Sequence, residues 1–143
     1  ENYRRGAHSV YDLKYHVVWI TKYRKAVLHG QIGKRLRDLV REICRSMDVE
    51  ILAGNIRHDH VHMMLSIPPK YSVSQVVGYL KGKSAIHLAR VYGERKQNFV
   101  GQHFWARGYF CATVGQMTEE MIKQYLEHHF EPNLNDNFKM EPD

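Results

Sequence analysis

Val49-Glu50-Ile51-Leu52-Ala53-Gly54-Asn55-Ile56-Arg57-His58-Asp59-His60-Val61-His62-Met63-Met64-Leu65-Ser66-Ile67-Pro68-Pro69 is the stretch whose reading decides the fold. Val49, Ile51, Leu52 and Ile56 mark a strand over residues 48–57, and residues 60–67 mark the next. The Asp59 region supplies the turn between them. Pro68-Pro69 ends the second strand, because proline donates no ladder hydrogen bond. Side chains on a strand alternate with period two, so His60 and His62 point to one face. Val61 and Met63-Met64-Leu65 carry that strand into a core. Two imidazoles at its start need polar partners there, and a shared divalent metal is one solution. Two edge-strand histidines with no ligand is the other reading. His58 shares the face by parity and could be a further ligand, but its place in the turn favours an outer role.

Working outward, residues 10–20 are rich in strand formers, from Val10-Tyr11 to Tyr15-His16-Val17-Val18-Trp19-Ile20. Residues 31–47 set Ile32, Leu36, Leu39, Val40, Ile43 and Met47 at helical spacing, with Lys34, Arg35, Arg37, Asp38, Arg41 and Glu42 on the other face. Ser72 or Ser74 caps a second helix carrying Val73, Val76, Val77, Leu80, Ser84 and Leu88, weakened but not broken by Gly82. Residues 103–114 read as a fourth strand. Thr118 caps a third helix, with Glu119 and Glu120 in its first turn and Met121, Ile122, Tyr125 and Leu126 on its apolar face. The order β-α-β-β-α-β-α makes an α+β protein. Its first six elements form the ferredoxin-like βαββαβ pattern, an antiparallel sheet with helices on one face, and a C-terminal helix bears Tyr125. One domain over residues 1–143 is expected, with its core at about 10–130 and residues 131–143 as a polar extended tail.

Length and composition agree with one soluble domain. The chain has 143 residues, 43% of them apolar and 25% charged. No apolar run approaches the ~20 residues that span a bilayer, so no membrane is expected. The start, Glu1-Asn2-Tyr3-Arg4-Arg5, has no signal-peptide core, and Glu1 is not a native start. Cys44 and Cys111 are expected reduced and half-buried in a cytoplasmic protein. The net charge of +6 favours a polyanion such as nucleic acid. Aromatic rings sit among the cations in Lys22-Tyr23-Arg24-Lys25 and Phe104-Trp105-Ala106-Arg107-Gly108-Tyr109. Single-stranded nucleic acid is held by that combination, although a solvated strand end and a packed aromatic strand read equally well.

On a helix, Tyr125, His128 and His129 lie at i, i+3 and i+4, so one helix could deliver a nucleophile and a metal ligand. Spacing alone favours a core tyrosine. Five blocks in order decide otherwise: Lys22-Tyr23-Arg24, His60-Val61-His62, Gly78-Tyr79-Leu80-Lys81-Gly82-Lys83-Ser84, Trp105-Ala106-Arg107-Gly108-Tyr109 and Tyr125-Leu126-Glu127-His128. From about Tyr11 to Phe130 the chain resembles the small TnpA-type transposases of the single-tyrosine HUH superfamily.

That resemblance implies a bacterial, cytoplasmic enzyme that excises and inserts mobile elements as single-stranded DNA. It implies that His60 and His62 bind a divalent metal ion, Mg²⁺ or Mn²⁺, and that Tyr125 forms a 5′-phosphotyrosine link and frees a 3′-hydroxyl. It also implies recognition of hairpins near element ends and a homodimer whose tyrosine helix can complete the partner's site. The family usually has glutamine four residues after the nucleophile, where this chain has His129. An amide oxygen suits Mg²⁺, whereas an imidazole favours Mn²⁺ or softer ions, so His129 is expected as third ligand with a preference moved toward manganese. His128 competes for that role if the helix is rotated. Lys22, Arg24, Lys81, Lys83 and Arg107 are the candidate DNA-binding cations, each of which could equally be solvated surface. The competing functions are a non-catalytic single-stranded nucleic-acid-binding module and a metal-dependent nuclease that uses water.

Overall fold

The computed structural model describes residues 3–6, 9–92, 104–114 and 138–143. Its elements are β1 (Arg4–Arg5), β2 (Val10–Tyr11), β3 (Lys14–Ile20), α1 (Gly30–Ser46), β4 (Glu50–Ile56), β5 (His60–Ser66), α2 (Val73–Tyr92), β6 (Phe110–Thr113) and β7 (Phe138–Met140). A short 3-10 turn, Lys22–Arg24, follows β3. The main sheet runs β6-β3-β5-β4-β7. β3, β4, β5 and β6 pair antiparallel, in the spatial order of the ferredoxin-like pattern.

One core lies between the sheet and both helices. It takes Val17 and Trp19 from β3, Val61, Met63 and Leu65 from β5, Leu36, Leu39, Val40 and Ile43 from α1, and Val76, Val77, Leu80 and Leu88 from α2. These strand residues have odd numbers. The even ones, His16 and Val18 on β3 and His60, His62 and Met64 on β5, therefore occupy the face away from the helices. Ser72, not Ser74, caps α2. Its Oγ accepts from the Gln75 N–H at 3.1 Å, while the Gln75 side chain accepts from the Ser72 N–H at 2.8 Å, a reciprocal capping box.

The single strand expected over residues 10–20 is two. Val10–Tyr11 pairs with Arg4–Arg5 in a separate ribbon, and Lys14–Ile20 enters the main sheet. Asp12 lies at the break and ion-pairs with Lys14 at 3.2 Å. The strand expected over 103–114 is likewise divided. Trp105 makes one isolated bridge to Thr21, and β6 starts only at Phe110, after Gly108 with its φ of +81°. Neither cysteine is in a disulfide; Cys44 is buried on α1 and Cys111 is exposed on β6. The expected third helix lies outside the described residues.

The expected tail is the larger correction. Phe138–Met140 forms a fifth strand, parallel to β4, so the sheet is mixed rather than wholly antiparallel. Gly54 makes room for it: a Cβ there would stand 2.7 Å from the Phe138 ring. The Arg41 guanidinium covers that ring at 5.4 Å. Gly54→Val is therefore expected to destabilise the protein by ~1–3 kcal/mol through overpacking, read by urea denaturation. The same loss in a Phe138→Ala background would refute that cause.

Candidate active site

His60 and His62 stand on β5, the central strand of the sheet, on its helix-free face. Their β3 register partners are Ile20 and Val18, and Asn55 lies opposite His62 on β4. Both imidazoles are buried, 2% and 4% exposed. The turn before them is held by its neighbours. The Asp59 carbonyl accepts from the Thr21 N–H at 3.0 Å, the His58 carbonyl accepts from the Leu28 N–H at 2.8 Å, and the Arg57 N–H donates to the His60 carbonyl at 2.9 Å. From the other end of the chain, Glu141 accepts the His58 N–H at 2.7 Å, and its second oxygen lies 3.6 Å from His58 Nδ1. His58 is thus tied to the C-terminal segment. Asp143 accepts the Gly30 N–H at 2.9 Å, at the start of α1.

A relay of side chains fixes His60. Asp59 Oδ1 lies 2.7 Å from His60 Nδ1, and the Arg24 Nε–H donates to Asp59 Oδ2 at 3.0 Å. A proton on Nδ1, donated to the carboxylate, leaves the Nε2 lone pair as the ligand atom. Metal-binding histidines are commonly oriented this way. Burial alone would raise the Asp59 carboxyl, but the His60 contact and the Arg24 guanidinium together hold it below the usual carboxylate range. Arg24 is presented from a strained turn, since both it and Tyr23 have positive φ, +55° and +59°.

A third imidazole joins the pair. His16 of β3 is fully buried, with Nδ1 3.1 Å from His62 Nε2. Burial pushes His16 down to about 4, and burial followed by the charges of His16 and His60 pushes His62 down to about 3. Burial also lowers His60, against the pull of Asp59. At neutral pH all three rings are uncharged, the state in which imidazole offers a lone pair to a cation. By donor chemistry His60 and His62 fit a divalent ion. The described residues contain no group of three or more His, Cys, Asp and Glu that could hold a metal ion, so this pair leaves coordination positions for other ligands. Tyr125, His128 and His129 lie outside the described residues.

The cations chosen by charge separate into two groups. Arg24 is engaged with Asp59. The Lys81 ammonium donates to the carbonyls of Ala106 at 2.9 Å and Gly108 at 2.7 Å, tying α2 to the loop before β6. Lys22 and Lys83 each lie over a neighbouring exposed tyrosine ring, Tyr23 at 5.3 Å and Tyr79 at 5.2 Å. Arg107 is exposed in the loop that Lys81 holds. Sequence reasoning missed His16 and the relay role of Asp59. The available signal for His16 was a histidine inside an otherwise apolar strand, and only the register brings it to His62.

A family model described as "Transposase IS200 like" matches residues 9–129. The transposase for insertion sequence element IS200 of Salmonella typhimurium is 40% identical over 125 residues, covering 87% of this chain and 82% of that protein. The ISDra2 transposase TnpA of Deinococcus radiodurans is 34% identical over 124 residues, covering 87% and 89%. A crystal structure described as that of a candidate transposase from Deinococcus radiodurans superposes with a TM-score of 0.77 at 34% identity, covering 88% of this chain and 98% of that one. A REP-associated tyrosine transposase bound to a REP hairpin shares the fold, with a TM-score of 0.56 at 16% identity, covering 87% and 67%. Because the match runs through the histidine strand and on to residue 129, this chain belongs to the family of IS200-like transposases.

Proposed function

We propose that this transposase cleaves and rejoins single-stranded DNA at the ends of an insertion sequence, with Tyr125 as nucleophile and a divalent cation held by His60 and His62. The observation that carries the reading is the pair of buried imidazoles side by side on the central strand, His60 already oriented by a carboxylate. A bound Mg²⁺ or Mn²⁺ supplies Lewis acidity at the scissile phosphate. The phenolic oxygen of Tyr125 attacks phosphorus, forming the Tyr–O–P bond. The bond from phosphorus to the 3′ oxygen breaks, and the 3′-hydroxyl leaves with a proton. A phenol has a pKa near ~10, so its proton must depart as attack proceeds. The phosphotyrosine conserves the phosphodiester bond, and attack by another 3′-hydroxyl reverses the step without a nucleotide cofactor.

The flanks of the tyrosine segment support this reading. β6 precedes residue 125 at one edge of the sheet and β7 follows it at the other, with the histidine strand in the middle. Half-buried Lys22 and exposed Lys83 and Arg107 are the cations for phosphate contact, whereas Arg24 and Lys81 act from within the fold. Such contacts give affinity that falls with salt and carries no sequence choice. The DNA partner is a hairpin near the element end, the protein acts as a homodimer in the bacterial cytoplasm, and the tyrosine of one protomer can serve its partner. No helix among the described residues is long and apolar enough to cross a membrane.

Incubation of the protein with labelled single-stranded hairpin DNA and Mn²⁺, followed by a denaturing gel, tests the reading. A slowly migrating protein–DNA adduct is expected. Cleavage without an adduct would point to hydrolysis by water, and binding without cleavage to a non-catalytic module; either result defeats the proposal. His129 is assigned as the third protein ligand. His129→Gln is then expected to move the ratio of Mn²⁺- to Mg²⁺-supported cleavage toward magnesium, and an unchanged ratio removes His129 from the site.

A further inference from the structure

Each histidine of the pair has its own polar neighbour. For His60 it is the Asp59 carboxylate. For His62 it is the ring of His16, from the adjacent strand β3. In the register of β3 and β5, His16 faces Met64 and Val18 faces His62. His16 therefore reaches His62 along the diagonal, a distance that long side chains can bridge. The rings are tilted by only 28° and meet nitrogen to nitrogen at 3.1 Å, which is an in-plane hydrogen bond rather than a face-to-face stack.

We propose that His16 is a positioning residue for the metal-binding pair, holding the ring of His62 in orientation and tautomer across the sheet as Asp59 holds that of His60. The inference rests on the reading that His60 and His62 bind a divalent cation. Its physical basis begins with the cost of the residue. His16 is fully buried, and its Nε2 has no hydrogen-bond partner among the described residues. An apolar side chain between Tyr15 and Val17 would avoid the penalty of burying that nitrogen. Among the described residues the ring's one polar contact is His62. Only one direction leaves a neutral His62 a lone pair for a cation: its Nε2–H donates to the lone pair of His16 Nδ1, and its own Nδ1 is then the ligand atom. The tautomer of His62 is therefore tied to that of His16, and rotation of the His62 ring breaks the bond. A neutral partner also orients its ligand without adding negative charge, so the two rings of the pair are held by chemically different groups.

The test uses the full chain. In the metal-free wild type with ¹⁵N-labelled histidine, a nitrogen–nitrogen coupling between His16 Nδ1 and His62 Nε2 is expected; its absence overturns the contact. Mn²⁺ affinity is then measured by calorimetry for the wild type, His16→Leu and His16→Asn. Loss of an outer partner of a ligating histidine weakens metal binding by about 10- to 100-fold, and that loss is expected for His16→Leu. Asparagine places an amide near the position of Nδ1 and is expected to recover most of the affinity. Equal affinity in wild type and His16→Leu overturns the proposal. If His16→Leu does not fold, His16→Asn decides, because a loss as large as that of His62→Ala would also overturn it. A wild type that binds no Mn²⁺ defeats the functional reading instead, and the nitrogen coupling still reports on the His16 contact.

Discussion

Tyr125→Phe is expected to abolish the covalent protein–DNA adduct while leaving hairpin binding close to that of the wild type. The substitution removes one oxygen and keeps the ring, so packing changes little. It removes the only atom that could form the phosphotyrosine bond. Cleavage should fall by at least about a thousand-fold, the equivalent of ~4 kcal/mol of transition-state stabilisation. Affinity for hairpin DNA, measured by fluorescence anisotropy at fixed salt, should be nearly unchanged, because phosphate contacts come from cations rather than from the nucleophile. The separation of the two readouts distinguishes a lost nucleophile from a damaged fold. Cleavage by the phenylalanine variant at the wild-type rate would sink the tyrosine mechanism.

Acidification should destabilise the metal-free protein well before its carboxylates titrate. His16 and His62 are pushed to about 4 and about 3 in the fold, whereas an unfolded chain protonates them near pH 6.5. As pH falls below ~6.5, the unfolded state binds protons that the folded state refuses, so stability drops. The direction is the same for His60. Each such group costs ~1.4 kcal/mol per pH unit across its window, and His16 and His62 together give roughly 2 to 4 kcal/mol between pH 6.5 and pH 5. Asp59 acts lower down. Its depressed carboxyl stabilises the fold above its unfolded value near pH 4, and that contribution disappears as pH falls through its folded value. Urea denaturation in EDTA at pH 7 and pH 5 measures the effect. His62→Asn should flatten the pH slope by about one proton, and equal wild-type stability at the two pH values would falsify the assignment of neutral buried rings.

The features legible in the sequence were local ones. Alternation along residues 60–66 and the stop at Pro68-Pro69 gave the histidine strand its ends and its face. The helical spacing of Leu36, Leu39, Val40 and Ile43 gave α1 its buried side. What stayed hidden depends on distant partners. Phe138–Met140 is three residues after a polar run, and its fit depends on a glycine far earlier in the chain, Gly54. His16 becomes part of the site only through strand register. Charge marked Arg24 and Lys81 as cations but not where those cations would go. One neutralises the carboxylate that orients His60, and the other is spent on two carbonyls. The break at Asp12 was readable in principle, since an acidic residue inside a strand pattern is a poor strand former.

The link between Glu141 and the turn at His58 has a consequence for the newborn chain. The two residues are 83 positions apart. At bacterial or slower rates of protein synthesis, roughly 5 to 20 residues per second, the histidine turn leaves the ribosome on the order of ten seconds before its last hydrogen-bond acceptor exists. During that interval the β4 edge is open, because the strand that covers it has not yet been made. A polypeptide stalled in this window would own both His60 and His62 and still lack the carboxylate that fastens the turn in front of them.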